Sequence, residues 1–508
     1  MAKSQLRSGI YLSYINLAIS CLIPFVYTPV MLDMLGQAEY GLYSLAHSVV
    51  GYLSLLSFGF GSTIVRYLAK YRAENNKTAL ENTYGFFLLL YGILAVAVLA
   101  GGFAICRNVG SIFERGLLED EVSKMRTLVL MMAFNTALSF PLSVFSSVAI
   151  AHERYFFRKV MDTLSTVMAP VANLIALYLG YTSVGMTLAG TIIQLILAPF
   201  SIIYCFRVIK VRPRFASMSK GLLVEMIGFS AFVFIGSIVD MLFWATDKVI
   251  LGMLTSSVAV AIYNVGGTFN NMVMSLSTSI SSVLVPKITG MVVTQSDKRE
   301  WTGIFIKAGR IQFLIIALIV SGFSVFGQAF ISLWAGPEYA DAFWVAVLTM
   351  FPLCIPLIQN TGLSVVVAQN KHQFRSIVYL IIAILNVVST YLTVPYFGII
   401  GAALCSCVSY LLGQGLIMNI YYYKVTGLDI PLFWKNIFKM AIIPALMLVT
   451  GLLLNRVLVI DDWITFLAGV AIFTVVYALL MYRFAMNDFE KDIIRKPLKR
   501  VFKALHRD

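Results

Sequence analysis

Two carboxylates seven residues apart, Asp240 and Asp247, stand in an apolar stretch, with Trp244 between them and Lys248 beside the second. Seven residues is two helical turns, so a helix puts both carboxylates on one face. An ionisable group within a long apolar helix is costly to keep, and it marks a place where an ion or a polar ligand is handled. Asp240 lies deeper, out of snorkelling reach of water, and has the chemistry to take up and release a proton or a small cation. Asp247 and Lys248 read either as a gate or anion contact, or as an interfacial pair at a helix end. His47, in an earlier apolar stretch, has an imidazole that ordinarily titrates near neutral pH. It reads as a third ion-coupling group or as a buried, hydrogen-bonded core residue.

Basic side chains form the complementary set. Arg66 closes one apolar stretch, Arg154 and Arg158 follow another, and Arg310 and Arg375 stand at the ends of later ones, as does Lys287. A guanidinium grips a phosphate through two parallel hydrogen bonds, so these residues fit the mouth of a cavity that receives an anion. The competing explanation is topology, because Lys and Arg are retained on the cytoplasmic side of a bilayer whatever else they do.

The elements that must position these groups follow from composition. The chain has 508 residues, 59% hydrophobic and 12% charged, with a mean hydropathy of +0.86. No ordinary soluble domain is built this way. The net charge of +14 does not point to nucleic acid, because apolar runs interrupt the basic residues throughout. Each run reaches the length of about 20 residues that crosses a bilayer. Fourteen helical spans are predicted: 10–32, 41–62, 84–106, 127–151, 159–180, 183–206, 226–250, 256–285, 308–332, 343–367, 376–396, 399–422, 436–457 and 463–482. Only helices satisfy the backbone of such runs, which show no barrel-like alternation. Of the 38 Lys and Arg, all but Arg107, Arg115, Lys124, Arg126, Lys248 and Arg456 fall in every second gap. An even number of spans then leaves both termini on the basic, cytoplasmic side of the membrane, against the anionic leaflet. The tail beyond Tyr482 interleaves basic residues with Ile493, Ile494, Leu498, Val501, Phe502 and Leu505, the pattern of an interfacial helix.

An internal repeat organises the spans. AHERYFFR (Ala151–Arg158) returns as AQNKHQFR (Ala368–Arg375), 217 residues later and after spans of equal rank, the fourth and the tenth. EYGLYSLAHSV in span two resembles AVAIYNVGGTF in span eight. Six spans per unit make the halves parallel, related by an axis along the membrane normal. The expected fold is therefore an all-α integral membrane protein of 14 transmembrane helices. Two parallel six-helix bundles (1–220 and 221–425) surround a central cavity; helices 13 and 14 (426–482) and a basic cytoplasmic tail (483–508) follow. Arg158 and Arg375 gain weight as ligand contacts because the same residue recurs in both halves.

Other groups are less specific. Six cysteines, none in a CxxC pair, read as small apolar residues without disulfides or metal. Asn135, Asn173, Gln194, Asn264, Gln312, Gln359, Asn360, Asn386 and Gln414 lie deep in spans, as interhelical links or as ligand contacts. Pro24, Pro29, Pro141, Pro352 and Pro356 are candidate bends. No nucleotide motif or catalytic constellation is present, so no cofactor and no enzymatic activity are expected. A transport cycle would be coupled to H+ or Na+.

LGQAEYGLYSLA (Leu35–Ala46), FGFGSTIVRYLAKYRA (Phe58–Ala73), AHERYFF and TDKVILGMLTSSVAVAIYNVG (Thr246–Gly266) together resemble the polysaccharide (O-antigen, Wzx-type) flippases of the multidrug/oligosaccharidyl-lipid/polysaccharide exporter superfamily. The resemblance runs along the whole chain. It implies translocation of an undecaprenyl-diphosphate-linked oligosaccharide from the inner to the outer leaflet by alternating access, for O-antigen, capsule or exopolysaccharide synthesis. A polysaccharide polymerase and glycosyltransferases would be its protein partners. Arg66, Arg154, Arg158, Arg310, Arg375 and Lys248 would then contact substrate, and Asp240, Asp247 and His47 would couple the ion. A multidrug antiporter or a lipid II flippase of the same superfamily is the alternative. A membrane glycan polymerase or ligase fits less well, since the longest outer loop is short and carries no His.

Overall fold

The computed structural model of the protein describes residues 2–215, 220–293, 298–369, 371–456, 460–493 and 495, and no β-strand occurs among them. The first unit's helices are α1 (Ala2–Gly51), α2 (Phe60–Ala73), α3 (Lys77–Ile112), α4 (Glu119–Ala151), α5 (Tyr155–Tyr178), α6 (Ser183–Ile203), α7 (Lys220–Trp244) and α8 (Thr246–Leu254). There follow α9 (Ser257–Val293), α10 (Lys298–Trp334), α11 (Ala342–Ile358), α12 (Asn360–Ala368), α13 (His372–Tyr410), α14 (Met418–Tyr421), α15 (Ile430–Leu454) and α16 (Trp463–Leu480). Side-chain caps mark several starts: Asn76 accepts from the Ala79 N–H at 3.0 Å and Asp429 from the Leu432 N–H at 2.9 Å.

These pieces assemble into the expected spans. Ten helices among the described residues are long and apolar enough to cross a membrane. Two of them, of 52 and 54 residues, are twice the length of a span. Both turn back at a glycine with positive φ, Gly36 (φ 73) and Gly398 (φ 53). The bent pair α11–α12 is another span, and α9 has the length of one. Of the candidate bends, the Pro352–Pro356 segment precedes a 46° break at Gln359.

Outward faces are apolar along the helices. On α3, Leu89, Ile93, Val96, Leu99 and Phe103 are exposed, and on α15 so are Phe438, Ile442, Leu446, Val449 and Leu453. Steps of three and four residues make each set a single stripe, the surface that hydrocarbon solvates. The chain is a multi-span membrane protein.

Contacts divide it into two compact units, Met1–Asn264 with Ala383–Ala402, and Val265–Ile382 with Ala403–Asp508. The first unit has a core running through α1–α4 and including Leu45, Tyr84, Phe87, Val144 and Leu251, with Val394 and Ala402 of α13. Gly41 allows α1 to touch the start of α9 there, because a Cβ would fall on the Ser257 carbonyl. Glu39, in the EYGLYS segment, ties this region together by accepting from Lys124 Nζ (2.7 Å) and Ser183 Oγ (2.6 Å). In the second unit α15 and α16 pack on α10 through Val325, Met440, Met447, Phe473 and Tyr477.

The repeat is visible in each unit separately. Phe157 stacks on Tyr204 with ring centroids 3.7 Å apart, and Phe374 on Tyr421 at 4.4 Å; both partners are displaced by the same 217 residues. The same shift relates Lys210 (φ 61) to Gly427 (φ 79), each ending a widened helical turn in a left-handed conformation.

Arg310 does not line an open mouth. It is buried, and its Nε and an Nη donate to Glu490 Oε1 and Oε2 at 2.5 and 2.9 Å, while the same Nη reaches the Ala485 carbonyl at 2.9 Å. Glu490 also caps its own segment, accepting from the Asn487 N–H (3.0 Å) as Asn487 Oδ1 accepts from the Glu490 N–H (2.9 Å). Most of the expected interfacial tail helix, Ile494 and residues 496–508, lies outside the described residues, as does the side chain of Lys287. Glu490→Ala leaves the guanidinium buried without its carboxylate, a loss of about 3–5 kcal/mol for a buried pair. It should lower the thermal midpoint in detergent and open the C-terminal segment to trypsin, whereas Arg310→Met with Glu490→Met should recover most of the loss.

Candidate functional site

The second span is not one helix. After α1 ends at Gly51, Tyr52–Ser57 wind as a tighter 3-10 turn, Phe58 (φ 48) and Gly59 (φ 68) are left-handed, and α2 begins at Phe60. The partner span is interrupted too, with α7 ending at Trp244 and α8 starting at Thr246. The Tyr52 and Thr246 hydroxyls hydrogen-bond to each other. Broken helices at membrane depth leave backbone groups that hydrocarbon cannot satisfy, so such breaks occur where protein or a polar cavity lines them.

A cavity is found here. It opens in the first unit with a volume of about 590 Å³. The broken segment contributes Ser54, Ser57, Gly59 and Gly61; α4 contributes Ser139 and Ser143; α7 contributes Ser237 and Asp240. Tyr91, Phe140, Phe234 and Trp244 supply aromatic walls. Gly59 permits the close approach of α7, since a Cβ there would meet Val233 Cβ at 2.9 Å and the Phe234 nitrogen at 3.2 Å.

Asp240 is exposed into this space, whereas Asp247, two turns on and across the break, is 1% exposed. The expected shared face is thus divided by the interruption at Ala245. Tyr263 donates to Asp247 Oδ2 at 2.6 Å and Thr390 to Oδ1 at 3.3 Å. Lys248 donates to Asn264 Oδ1 at 3.1 Å, and Asn264 Nδ2 to the Tyr40 hydroxyl at 2.6 Å. A carboxylate and an ammonium on adjacent residues therefore sit in one network joining α1, α8, α9 and α13. His47, exposed on α1, lies within electrostatic reach of Lys248.

The arginines separate into two kinds. Arg158 pairs with Asp162 at 2.9 Å and donates to Ser146 at 2.5 Å. Arg154 begins α5 in the adjoining turn, where Arg72 holds Glu153 (2.7 Å) and the Ala151 carbonyl (2.6 Å). Burial, together with the charges of Arg72 and Arg154, holds the neighbouring His152 below the ordinary imidazole range against the opposing bond to the Val148 carbonyl. Arg66 and Arg375 are different. Arg66 is exposed and lies over the Phe229 ring at 4.4 Å. Arg375 lies over Tyr379 at 4.5 Å with a buried Nε that has no partner among the described residues. The matched position that is Asp162 in one half is Tyr379 in the other, so the two repeat arginines differ in compensation. Lys287, Arg310 and Arg375 belong to the second unit and the remaining charged candidates to the first.

Most deep amides serve as links. Asn135 accepts from Thr191 Oγ1 (2.7 Å), Asn173 donates to Tyr27 (3.1 Å), Gln312 to Ser281 (2.5 Å) and Gln359 to Asn419 (2.7 Å). The serine wall was missed by sequence reasoning, although the FGFG segment and the serine spacing Ser139–Ser143 carry its signal. No group of three or more His, Cys, Asp or Glu able to hold a metal ion occurs among the described residues, and the described cysteines are free thiols.

Residues 6–292 match the family model described as polysaccharide biosynthesis protein. The chain is 21% identical to the uncharacterized membrane protein EpsK of Bacillus subtilis over 94% of its own length and 95% of that protein's. Its fold is similar to a lipid II flippase MurJ structure, with a TM-score of 0.75 at 14% identity over 96% and 99% of the two chains. It is also similar to a multidrug resistance MATE family transporter, with a TM-score of 0.65 at 13% identity over 83% and 99%.

Gly59→Ala tests whether the break shapes the cavity. A left-handed alanine costs about 1–2 kcal/mol, and its methyl must push α7 away. Transport should fall while the protein still purifies as a folded species, and a cysteine placed at Ser237 should change its rate of thiol labelling.

Proposed function

Because the chain belongs to the polysaccharide biosynthesis protein family, we propose that it translocates an undecaprenyl-diphosphate-linked oligosaccharide across the plasma membrane of a bacterium by alternating access. The observation that carries this reading is the polar cavity at the break in the second span, inside a unit whose outer helical faces are apolar. A lipid-linked glycan needs such a path for its sugars, while its polyprenyl chain can stay in hydrocarbon. The chain's similarity to a lipid II flippase in fold is compatible with the same class of cargo.

Within this reading each unit, taken by itself, offers the diphosphate one arginine, Arg66 in the first and Arg375 in the second, each with an aromatic face and no carboxylate partner among the described residues. A phosphate oxygen would accept the hydrogen bond that Arg375 Nε has to give. The coupling ion, H+ or Na+, is assigned to the Asp247 network, where a buried carboxylate depends on two hydroxyl donors. A proton or Na+ arriving there changes the demand on both donors and on Lys248.

Liposomes carrying fluorescent undecaprenyl-diphosphate oligosaccharide test the proposal by following the lipid's accessibility on each face. Protein-dependent exchange between leaflets is expected, and none, with or without an ion gradient, would sink the assignment. Loss of a charge-assisted hydrogen bond is worth about 1.5–3 kcal/mol, or roughly 10- to 100-fold. Arg375→Ala should slow exchange by that order, and Arg158→Ala, whose charge is already compensated by Asp162, far less. Asp247→Asn should abolish the response to an imposed gradient.

A further inference from the structure

The cavity of the first unit is unsuited to a diphosphate. Its one charged lining residue among the described residues is the carboxylate of Asp240. Ser54, Ser139, Ser143 and Ser237 each donate their proton to a backbone carbonyl three or four residues back, those of Gly51, Thr136, Phe140 and Val233, at 2.6, 2.7, 2.7 and 3.2 Å. Their lone pairs remain to accept. Hydroxyl lone pairs and a carboxylate repel phosphate oxygens, which are acceptors only. The Tyr91 hydroxyl and the first N–H groups of α2 at Gly61 provide donors. The aromatic rings add flat apolar faces.

We infer that this cavity is a sugar subsite, which stacks a pyranose ring of the cargo's glycan on Trp244 or Phe140 and takes the ring's hydroxyl or amino protons on Asp240 and the serines. A sugar ring has apolar C–H faces and an edge of groups that both donate and accept, and the lining offers a counterpart to each. The inference rests on the flippase reading and says which part of the cargo sits where. Arg66 of α2 lies over Phe229 of α7, and Asp240 is eleven residues further along α7. At 1.5 Å per residue the separation is about 16 Å, room for sugar between an anion at Arg66 and the carboxylate.

Trp244 is the only tryptophan in the first unit, so its fluorescence reports on the cavity, with the Trp244→Phe protein as the subtraction control. The purified full chain in nanodiscs would be titrated with phosphate-free glucosamine, N-acetylglucosamine and galactose, with inorganic pyrophosphate, and with tetraphenylphosphonium. At least one sugar should change the Trp244 signal, and Asp240→Asn should weaken that response by about tenfold, the loss of one charged hydrogen bond. Ser139→Ala with Ser143→Ala, which removes only hydroxyls bonded to their own helix, should weaken it too. Pyrophosphate should have no effect. A response to pyrophosphate equal to that of the sugars, a stronger response to tetraphenylphosphonium than to any sugar, or no response to any sugar would each overturn the inference. The liposome assay separates this from the wider reading. Variants that flip the lipid-linked oligosaccharide at the wild-type rate defeat the sugar subsite alone, whereas a wild-type protein that never flips it defeats the flippase.

Discussion

Hydrocarbon cannot hydrogen-bond a peptide group, and the arrangement of this protein follows from that constraint. Each span closes its backbone bonds internally, so helices are long, their outer faces apolar, and turns are made sharply at Gly36 and Gly398. The same constraint makes exceptions informative. A span that unwinds between Gly51 and Phe60 must be surrounded by groups that take over the lost bonds, and serines, a carboxylate and two tyrosines gather there. The cavity and the break are one feature seen from two sides.

Duplication accounts for much of the remaining architecture. The Phe157–Tyr204 and Phe374–Tyr421 stacks hold equivalent helix ends, and the left-handed residues Lys210 and Gly427 end equivalent turns. Against that shared frame the differences stand out. Where one half has an Arg–Asp pair, the other has Arg–Tyr. The first compensates its charge and the second leaves it available, which is how two copies of one scaffold come to have different surfaces.

The spans, their number, the repeat and the all-helical class were legible because hydropathy and residue spacing report them directly. Asp240 was legible as a lone carboxylate in an apolar run, and the structure puts it in the cavity. Its grouping with Asp247 was not, since helical periodicity assumes an unbroken helix and the chain breaks at Ala245. The pairing of Arg310 was not legible, because its partner, Glu490, is 180 positions away. The serine wall was illegible for another reason. Serine is unremarkable in any one span, and only the convergence of α3, α4, α7 and the broken segment gives it meaning.

The first unit is completed by a late part of the chain. Residues 383–402 supply Val394 and Ala402 to its core, and Thr390 supplies the bond to Asp247 Oδ1. A ribosome making this protein has therefore inserted most of the second unit's helices before the first can close. Until then Asp247 lacks one of its donors in the bilayer. The two units therefore cannot mature in sequence, one and then the other. Chains truncated before residue 383 would present a bundle missing a wall, the kind of incomplete fold that membrane quality-control proteases remove.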